Sequence, residues 1–418
     1  MEYNMQIQKP ITLCEVCGNT ELQAALNLGE HPLCDDLIPV GEMRVCEEYP
    51  IEILFCDECV TAHQKFQVPK RTLFPATYHY RSRFTVDVLN GMVALVDACA
   101  KRVGPLRDKV VLDVGCNDGS LLDFFKQQGA ITVGIDPTNA FIDGLDKGHH
   151  LINGFFDPSI AQQILVKHGA PDIITFTNVF AHIENLPELI DALKVLMGPS
   201  SMIVVENHYL GAVLDRFQFD TFYHEHPRTY SLTSFTYIAR SLGFQLTGVE
   251  FPARYGGNIR VFIGGHQDAE YQTNSTAIID ILNTEKQFGD RLLKMQESID
   301  LWNITMRQQI AELVAKHGKL SAKAFPGRAA ILIKLLGLDS DTIDAVYEKP
   351  GSMKIGHYIP GTGIPIRSDD EFWAMSNKPA VMLNLAWHIS IEIRSYFGKH
   401  GYSGQVIDIL DPSVLAAY

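Results

Sequence analysis

The stretch from Tyr223 to Ser231 carries several side chains that can move protons. It reads Tyr223-His224-Glu225-His226-Pro-Arg228-Thr-Tyr230-Ser231. Because histidine and carboxylate side chains exchange protons near neutral pH, the stretch fits an acid/base loop. Two other interpretations stay open. One is a hydrogen-bonded loop without chemistry, and the other is a metal site, although the stretch lacks the His-Glu-x-x-His spacing. If the segment is extended, His224 and His226 face the same side.

Two Cys-x-x-Cys pairs near the N-terminus have the spacing of a zinc site. They are Cys14-Glu-Val-Cys17 and Cys56-Asp-Glu-Cys59, and a mostly strand-like stretch separates them. Each pair can wrap one side of a tetrahedral ion, and four thiolates leave no open position, so we expect a structural zinc. The alternative is disulfide bonding, which is disfavoured because thiols of a protein without a signal peptide stay reduced.

A strand, a glycine turn and a helix follow one another in the middle of the chain. The strand is Val110–Val114, with Asp113 in it, and the turn contains Gly115 and Gly119. Glycine lets the backbone approach a ligand closely. Asp136 ends a second apolar strand, where an acid is well placed to accept hydrogen bonds from ribose hydroxyls. The pattern predicts a crevice for a nucleotide or adenosyl cofactor, and the alternative is an ordinary tight turn.

Alternating strand and helix patterns predict the fold around this turn. A parallel sheet with helices on both faces, closed by the antiparallel pair Gly243–Glu250 and Gly257–Ile263, gives an α/β, doubly wound domain. A helical stretch from about residue 280 to 318 follows it. We expect a zinc-binding domain at 1–70, an aromatic and basic linker with a helix at 71–108, the doubly wound domain at 109–275, a bridging helix at 276–318 and a smaller α/β domain at 319–418.

Basic residues in the C-terminal domain form another candidate for ligand binding. Lys323 and Arg328 lie in the turn after the first strand of that domain, and Lys354 and the glycine-rich loop Gly356–Pro365 follow. Together they fit a phosphate group. A solvated positive face is an equal alternative, and the turn lacks the Gly-x-Gly-x-x-Gly spacing of dinucleotide-binding sites.

Composition and charge exclude several classes of protein. The chain has 418 residues, 46% of them hydrophobic, and a formal net charge of −14. The size allows two or three globular domains. The negative charge disfavours a nucleic-acid surface, and no apolar run is long enough to span a membrane. The N-terminus lacks the pattern of a signal peptide, so we expect a cytoplasmic protein. We also expect a monomer or a small homo-oligomer.

In their order along the chain, the motifs resemble those of the sugar C-methyltransferases of deoxysugar biosynthesis. The most specific part is Phe219-Asp-Thr-Phe-Tyr-His-Glu-His226 with Tyr230-Ser231, accompanied by Tyr78-His-Tyr80-Arg-Ser82 and Asn178-Val-Phe-Ala-His182-Ile183. The resemblance covers nearly the whole chain. It implies a zinc-binding domain, a class I, Rossmann-like methyltransferase domain and a smaller C-terminal α/β domain. It also implies S-adenosylmethionine as cofactor, structural zinc, and a nucleotide-linked 4-keto-6-deoxysugar as substrate.

The resemblance also implies roles for individual residues. It places zinc on Cys14, Cys17, Cys56 and Cys59, and the cofactor near Gly115, Asn117, Gly119, Asp136 and Asn178, to which the strand pattern adds Asp113. It places Tyr78 or Tyr80, His182, Tyr223, Glu225 and His226 at the sugar. We expect His224, Arg228, Lys323 and Arg328 to bind the substrate. The sequence departs from the family pattern at Arg83 and the residues after it, and in the turn Ala322-Lys323-Ala-Phe-Pro-Gly-Arg328, which leaves the sugar and the nucleotide open.

The expected reaction is methylation of carbon, at C3 of the sugar. A C–H bond beside a ketone becomes a nucleophile only after deprotonation. We expect His226 to be the base, since an ordinary histidine is largely neutral at pH 7, and Glu225 to orient an imidazole or relay the proton. A hydrogen bond to the enolate oxygen would come from Tyr223, Tyr78, Tyr80 or His182. The alternatives are an O- or N-methyltransferase and a zinc-ribbon binding protein with a vestigial methyltransferase core.

Overall fold

The computed structural model describes residues 10–78, 80–265 and 275–415. The β-strands in chain order are β1 (Gln23–Pro32), β2 (Ile38–Pro39), β3 (Glu48–Cys56), β4 (Thr61–Gln64), β5 (Val110–Val114), β6 (Ile131–Asp136), β7 (His150–Asn153), β8 (Ile173–Thr177), β9 (Met202–His208), β10 (Arg228–Thr229), β11 (Leu246–Glu250), β12 (Asn258–Gly264), β13 (Leu320–Lys323), β14 (Ile343–Glu348), β15 (His357–Tyr358), β16 (Ile366–Ser368), β17 (Val381–Asn384) and β18 (Gln405–Asp408).

The α-helices in chain order are α1 (Lys70–Leu73), α2 (Val86–Val103), α3 (Ser120–Gln127), α4 (Pro158–His168), α5 (Leu186–Leu196), α6 (Leu210–Asp215), α7 (Leu232–Ser241), α8 (Thr276–Glu285), α9 (Phe288–His317), α10 (Ala329–Leu336), α11 (Asp369–Ala374), α12 (Ser390–Lys399) and α13 (Pro412–Leu415). Short 3-10 helices lie at Ser82–Phe84, Asn139–Lys147, Phe180–His182, Phe219–Thr221, Arg254–Gly256 and Trp387–Ile389.

The described chain forms two compact units, each made of three segments of the chain. The first unit contains the described residues within Met1–Ala24, Leu54–Val213 and Glu225–Gly289. The second contains those within Ala25–Ile53, Leu214–His224 and Asp290–Tyr418. Both the expected zinc-binding domain and the Tyr-His-Glu-His loop are therefore divided between the two units.

A seven-stranded sheet forms the centre of the first unit. Its strand order is β11-β12-β9-β8-β5-β6-β7. The pairs from β7 to β9 are parallel, whereas β12 is antiparallel to both β9 and β11, so the predicted closing pair is confirmed. Because the strand order reverses at β5, which has β6 on one side and β8 on the other, the crevice expected for a ligand lies at the carboxyl ends of these strands.

Apolar residues cover this sheet on both faces. Along β5, Leu112 and Val114 belong to a core that includes residues of α4, α5 and α7, while Val111 belongs to another that includes residues of α2 and α3. Alternate residues of a strand point to opposite faces, so helices on both faces require apolar residues throughout. The near-continuous apolar sequence of the strands follows from this arrangement.

Within the second unit, a five-stranded sheet has the order β16-β14-β13-β17-β18, and all of its pairs are parallel. Its core includes Tyr347, Phe372 and Met382, which are almost completely buried. A short antiparallel pair, β2 with β15, also belongs to this unit. The smaller α/β domain expected at the C-terminus is therefore present, although Ala25–Ile53 and Leu214–His224 join it in the same unit.

The helical stretch predicted from about residue 280 to 318 consists of two helices instead of one. Helix α8 ends at Glu285, and α9 begins at Phe288. The Glu285 carboxylate is buried and accepts hydrogen bonds from the backbone N–H groups of Leu232 and Thr233, at the start of α7. Since the first N–H groups of a helix lack partners within the helix, this acceptor satisfies them from another element.

Candidate functional site

The turn between β5 and α3 adopts backbone conformations that favour glycine. Gly115 and Gly119 have φ angles of 74° and 76°, and Asn117 between them has a φ of 51°. A Cβ atom on Gly115 would lie 2.5 Å from a methyl carbon of Val179. The turn therefore requires glycine at position 115 for two reasons, its backbone angle and the closeness of Val179.

Two buried acids lie at the ends of neighbouring strands. Asp136, at the end of β6, accepts hydrogen bonds from the backbone N–H groups of Asn117 and Thr138, both at 2.8 Å. Asp113 in β5 accepts one from the hydroxyl of Thr175 at 2.7 Å. Burial raises the pKa of Asp113 to about 7 and also raises the pKa of Asp136. Since each carboxylate oxygen has two lone pairs, Asp136 keeps acceptor capacity for ribose hydroxyls.

A third polar group lies where β8 and β9 end. Asn178 has a φ of 53°, and its backbone N–H donates to the carbonyl of Glu206 at 2.7 Å. The side-chain amide of Asn258 donates to the buried carboxylate of Glu206 at 3.1 Å. Among the described residues, Asn258 Oδ1 and Thr177 Oγ1 are buried without a hydrogen-bond partner. These two oxygens can accept hydrogen bonds from polar groups of S-adenosylmethionine, and Gly115, which has no side chain, lets the backbone of the turn come close to the cofactor.

The segment from Tyr78 to Arg83 is attached to the same turn. The Asn117 side chain accepts a hydrogen bond from the backbone N–H of Ser82 at 3.0 Å and donates one to the carbonyl of Tyr80 at 3.1 Å. The backbone N–H of Arg83 donates to Asp118 at 3.0 Å. The predicted cofactor residue Asn117 therefore also fixes the aromatic segment.

Three imidazole rings lie close together in the first unit. His182 ends the 3-10 helix after β8, His208 ends β9, and His226 follows the turn before β10. The ring centroids of His182 and His226 are 4.9 Å apart, and those of His208 and His226 are 5.6 Å apart. All three rings are half-buried. The elements that carry His182 and His208 end at the carboxyl edge of the sheet, where such sheets bind ligands.

A carboxylate and a phenol accompany the imidazoles. The hydroxyl of Tyr78 donates to the Glu225 carboxylate at 3.1 Å. His182 Nδ1 lies 2.6 Å from the Glu225 carbonyl oxygen, so this nitrogen carries the proton, because a carbonyl can only accept. Burial lowers the pKa of His182, which keeps the ring neutral and its other nitrogen an acceptor. His182 therefore has no second N–H for an enolate oxygen.

The predicted catalytic residues are only partly brought together. Tyr78, His182, Glu225 and His226 form one group through the contacts just given. The Tyr80 side chain is 43% exposed. Tyr223 is half-buried and belongs to the second unit.

The segment that contains His224 and His226 is not extended, so the condition under which the two side chains would face the same side is not met. Residues 224 and 225 form a turn. His224 Nε2 contacts the carbonyl of Tyr49 at 3.0 Å, and the side chain is buried. The two-residue spacing of a strand does not apply in a turn, so His224 and His226 contact different elements.

Three of the residues expected at the substrate are paired with carboxylates, of which Glu15 is half-buried and Asp369 and Asp220 are buried. Arg228 is completely buried and forms an ion pair with Glu15. In the second unit, Lys323 is 2% exposed and lies 2.6 Å from Asp369. Arg328 donates to Asp220 at 2.8 Å, and Asp220 also accepts from the Trp387 indole at 2.9 Å. These contacts give all three residues structural partners, which the sequence patterns did not reveal.

The four cysteines of the N-terminal pairs meet in a single cluster. Their sulfur atoms all lie within 4.8 Å of one another, with 3.3 Å between Cys14 and Cys59 and 3.6 Å between Cys17 and Cys56. Three of the side chains are buried. With Zn–S bonds of about 2.3 Å, a tetrahedral zinc ion requires sulfur atoms that converge in this way. The cluster therefore fits a structural zinc ion bound by four thiolates.

Sequence reasoning missed several residues around the site. His208 could have been found, because it ends an apolar stretch that forms β9, and the ends of such strands face the ligand edge. Glu15 and His63 gave no such signal. His63 Nε2 lies 3.3 Å from the Cys14 sulfur, and the contact depends on folding that brings distant segments together.

Family models match three consecutive parts of the chain. A zinc binding domain matches residues 14–74, a methyltransferase domain residues 87–249, and a C-methyltransferase C-terminal domain residues 253–405. Over 98% of both chains, the sequence is 27% identical to C-methyltransferase NovU of Streptomyces niveus. It is also 29% identical to a ubiquinone biosynthesis O-methyltransferase of Haemophilus ducreyi, over 23% of this chain and 43% of that protein.

Two solved structures that resemble part of the chain are methyltransferases by name. One is magnesium protoporphyrin IX methyltransferase (ChlM) from Synechocystis PCC 6803 with bound SAH, at 17% identity and a TM-score of 0.34, covering 43% of this chain and 84% of that one. Another is a SAM-dependent methyltransferase from Anabaena variabilis, at 15% identity and a TM-score of 0.35, covering 43% and 86%. No helix of the described residues has the length and apolar character needed to cross a membrane.

Proposed function

Because the chain is an S-adenosylmethionine-dependent C-methyltransferase with an N-terminal zinc-binding domain, we propose that it methylates C3 of a nucleotide-linked 4-keto-6-deoxysugar. The substrate class comes from the resemblance of the Tyr-His-Glu-His loop and its companion motifs to the sugar C-methyltransferases. A keto sugar also has the acidic C–H bond that methylation at carbon requires.

One observation carries this proposal: the group of imidazoles and a carboxylate at the carboxyl edge of the sheet. His226 lies beside His182 and His208, and Glu225 precedes it. O-methylation needs the removal of a proton from a hydroxyl only, whereas C-methylation needs a base for a C–H bond. Several proton-accepting groups around one half-buried imidazole favour the second task.

His226 is the proposed base that removes the C3 proton. Its ring is half-buried, so it is partly reachable from solvent, and its neighbour His182 is held neutral because burial lowers the pKa of that ring. A neutral neighbouring ring does not oppose the positive charge that His226 gains when it takes the proton. The electron pair of the C3–H bond passes into the enolate, whose charge resides mainly on the oxygen at C4.

Tyr78 is the proposed hydrogen-bond donor to that oxygen. Its hydroxyl donates its single proton to Glu225 in this structure, and rotation of the O–H bond would turn that proton toward the enolate oxygen when the sugar binds. His182 lacks a second N–H, and the Tyr80 side chain is exposed to solvent over much of its surface. Tyr78 is therefore favoured over Tyr80 and over His182.

S-adenosylmethionine, when bound, supplies an electrophilic methyl group on a sulfonium centre. Gly115, Asn117, Asp136 and Asn178 are the residues proposed to hold it, together with the unpartnered oxygens of Thr177 and Asn258. Asp113 is proposed to support the turn from within the sheet, since its carboxyl group is buried against Thr175.

Incubation with a panel of nucleotide-linked 4-keto-6-deoxysugars in deuterated water tests the proposal. Without cofactor, NMR should show deuterium entering C3 of the accepted sugar. With S-adenosylmethionine, mass spectrometry should show one added methyl group, and NMR should place it on carbon. Methyl transfer to a hydroxyl or an amine, without exchange at C3, would contradict the proposal.

A further inference from the structure

We propose that the Glu15–Arg228 ion pair positions His182 and His226 relative to each other, so that the zinc knuckle belongs to the catalytic machinery. The zinc knuckle is defined here as the segments Cys14–Cys17 and Cys56–Cys59. This inference rests on the proposed function, because it assigns His226 the role of base. It gives Arg228 a positioning role in place of the substrate contact expected from the sequence.

The guanidinium of Arg228 connects the two segments that carry the histidines. Arg228 lies two residues after His226 and is completely buried. It donates to the carbonyl of Ile183, the residue after His182, and to the carbonyl of Glu184 at 3.3 Å. Its Nε–H donates to the Tyr230 hydroxyl at 3.0 Å. The rigid fork of donors therefore fixes the distance between the chain after His226 and the chain after His182.

The carboxylate that balances this guanidinium belongs to the zinc knuckle. Glu15 lies between Cys14 and Cys17, and its Oε2 accepts from Arg228 and from the amide of Gln67. The Gln67 contact measures 2.7 Å. A buried guanidinium requires a charged partner. Glu15 keeps its place only while the knuckle is folded, and a four-thiolate zinc site folds around its metal.

Backbone pairing attaches the chain after His226 to the same knuckle. Strand β10 pairs antiparallel with β4, so that Arg228 lies opposite His63. The backbone N–H of Gln64 donates to the carbonyl of Pro227 at 2.8 Å. Pro227 directly follows His226, and His63 Nε2 lies 3.3 Å from the Cys14 sulfur. The proposed base, His226, thus lies two residues before a strand pair whose first pair, Arg228 with His63, is next to a zinc ligand.

A third attachment follows slightly further along the chain. The Ser234 hydroxyl lies 3.2 Å from the carbonyl of Cys59, a zinc ligand, and 3.0 Å from the carbonyl of Val60. It also lies 2.8 Å from the hydroxyl of Thr61. With attachments at residues 227, 228 and 234, the loop that carries His226 is supported over its whole C-terminal side. The position of His226 therefore depends on whether the zinc knuckle is folded.

The variant Arg228→Lys separates this positioning role from charge. Lysine keeps the positive charge beside Glu15, but a single ammonium group cannot span the acceptors that the fork reaches. A displacement of about 1 Å at a reacting group can reduce the rate about 100-fold. We expect kcat and the rate of C3 deuterium exchange to fall by about 10- to 100-fold, while KM for the sugar and Kd for S-adenosylmethionine change by no more than about threefold.

A matched control is Glu188→Gln. Glu188 lines the same cavity of about 600 Å³ as Glu15, but its carboxylate lies 3.7 Å from Lys70 and is 39% exposed. Its ion-pair partner is thus Lys70, whereas the partner of Glu15 is Arg228. Removal of this charge should leave kcat, exchange and zinc content unchanged.

Zinc content by elemental analysis and circular dichroism accompany the kinetics. If Arg228→Lys fails to fold, Tyr230→Phe replaces it, since it removes only the acceptor of the Arg228 Nε–H; it should lower kcat but not KM. A folded, zinc-containing variant with unchanged kcat and exchange would overturn the inference, as would a loss that appears in KM alone. If the wild-type protein itself shows no exchange with any sugar of the panel, the proposed function has failed, and the positioning role fails with it.

Discussion

Replacement of Gly115 by alanine tests the geometry of the cofactor turn. The φ of Gly115 is 74°, where an L-residue is strained by about 1 to 2 kcal/mol. The new Cβ would lie 2.5 Å and 2.8 Å from the two methyl carbons of Val179. Carbon atoms normally approach to about 3.5 Å, so the Val179 side chain or the turn must move by about 1 Å.

The two costs together predict a loss of stability and of cofactor affinity. Overpacking of this kind costs about 1 to 3 kcal/mol, so the sum with the backbone strain is about 2 to 5 kcal/mol. Val179 directly follows Asn178, a proposed cofactor residue, so movement there should weaken S-adenosylmethionine binding by at least about tenfold. Isothermal titration calorimetry measures the affinity, and urea unfolding measures the stability.

Gly104→Ala is the matched control for this substitution. Gly104 follows α2 with a φ of 78°, and nothing lies within 4 Å of the position that a Cβ atom would take there. Its ψ of −160° lies in a region that essentially only glycine adopts, so the substitution should cost about 1 to 3 kcal/mol of backbone strain, with normal cofactor affinity. If Gly115→Ala binds S-adenosylmethionine as tightly as Gly104→Ala does, the close approach at the turn has no role in binding, and the reasoning is refuted.

Three further predictions concern stability. Cys56→Ser should remove a thiolate ligand, so elemental analysis should find less than one zinc per chain, together with a lower melting temperature; full zinc content would refute the four-thiolate site. Burial lowers the pKa of both His31 and His224 to about 4, so their stabilising effect is complete above pH 6.5 and is lost as the pH falls toward 4. Each histidine should lower the free energy of unfolding by about 3 kcal/mol over this range. The urea midpoint should therefore fall steeply between pH 6.5 and 4.5, and an unchanged midpoint would contradict this. Lys323→Met should destabilise the protein by about 3 to 5 kcal/mol in urea unfolding, since it leaves Asp369 buried without its partner; additional replacement of Asp369 by asparagine should recover part of the loss.

Local patterns predicted the parts of the fold and site that depend on neighbouring residues. The strand Val110–Val114, the glycine turn and the acid at Asp136 follow from spacing within a short stretch, and the structure places them as expected. The cysteine pairs were equally informative, because each pair is a local unit and only two units had to meet. In these cases neighbouring residues determine both the type of element and its place in the chain, so the sequence alone is enough to predict it.

Long-range partners account for most of what the sequence did not predict. Arg228 and Lys323 looked available for a substrate, but the carboxylates of Glu15 and Asp369 neutralise them in the interior. No local spacing relates Arg228 to Glu15, since more than 200 residues separate them. The sequence likewise does not reveal the partner of Glu285, a buried residue at the end of α8 that accepts a hydrogen bond from the start of α7.

Deuterium exchange at C3 of the sugar in the His226→Asn variant is the most direct test of the central claim. The measurement is made without cofactor, beside calorimetry of S-adenosylmethionine binding, and His208→Asn serves as a neighbouring imidazole control. Removal of a general base should slow exchange by at least about 100-fold in His226→Asn, with cofactor affinity unchanged and with a much smaller effect in the control. Exchange at the wild-type rate in His226→Asn would contradict the assignment of the base and, with it, the proposed course of the reaction.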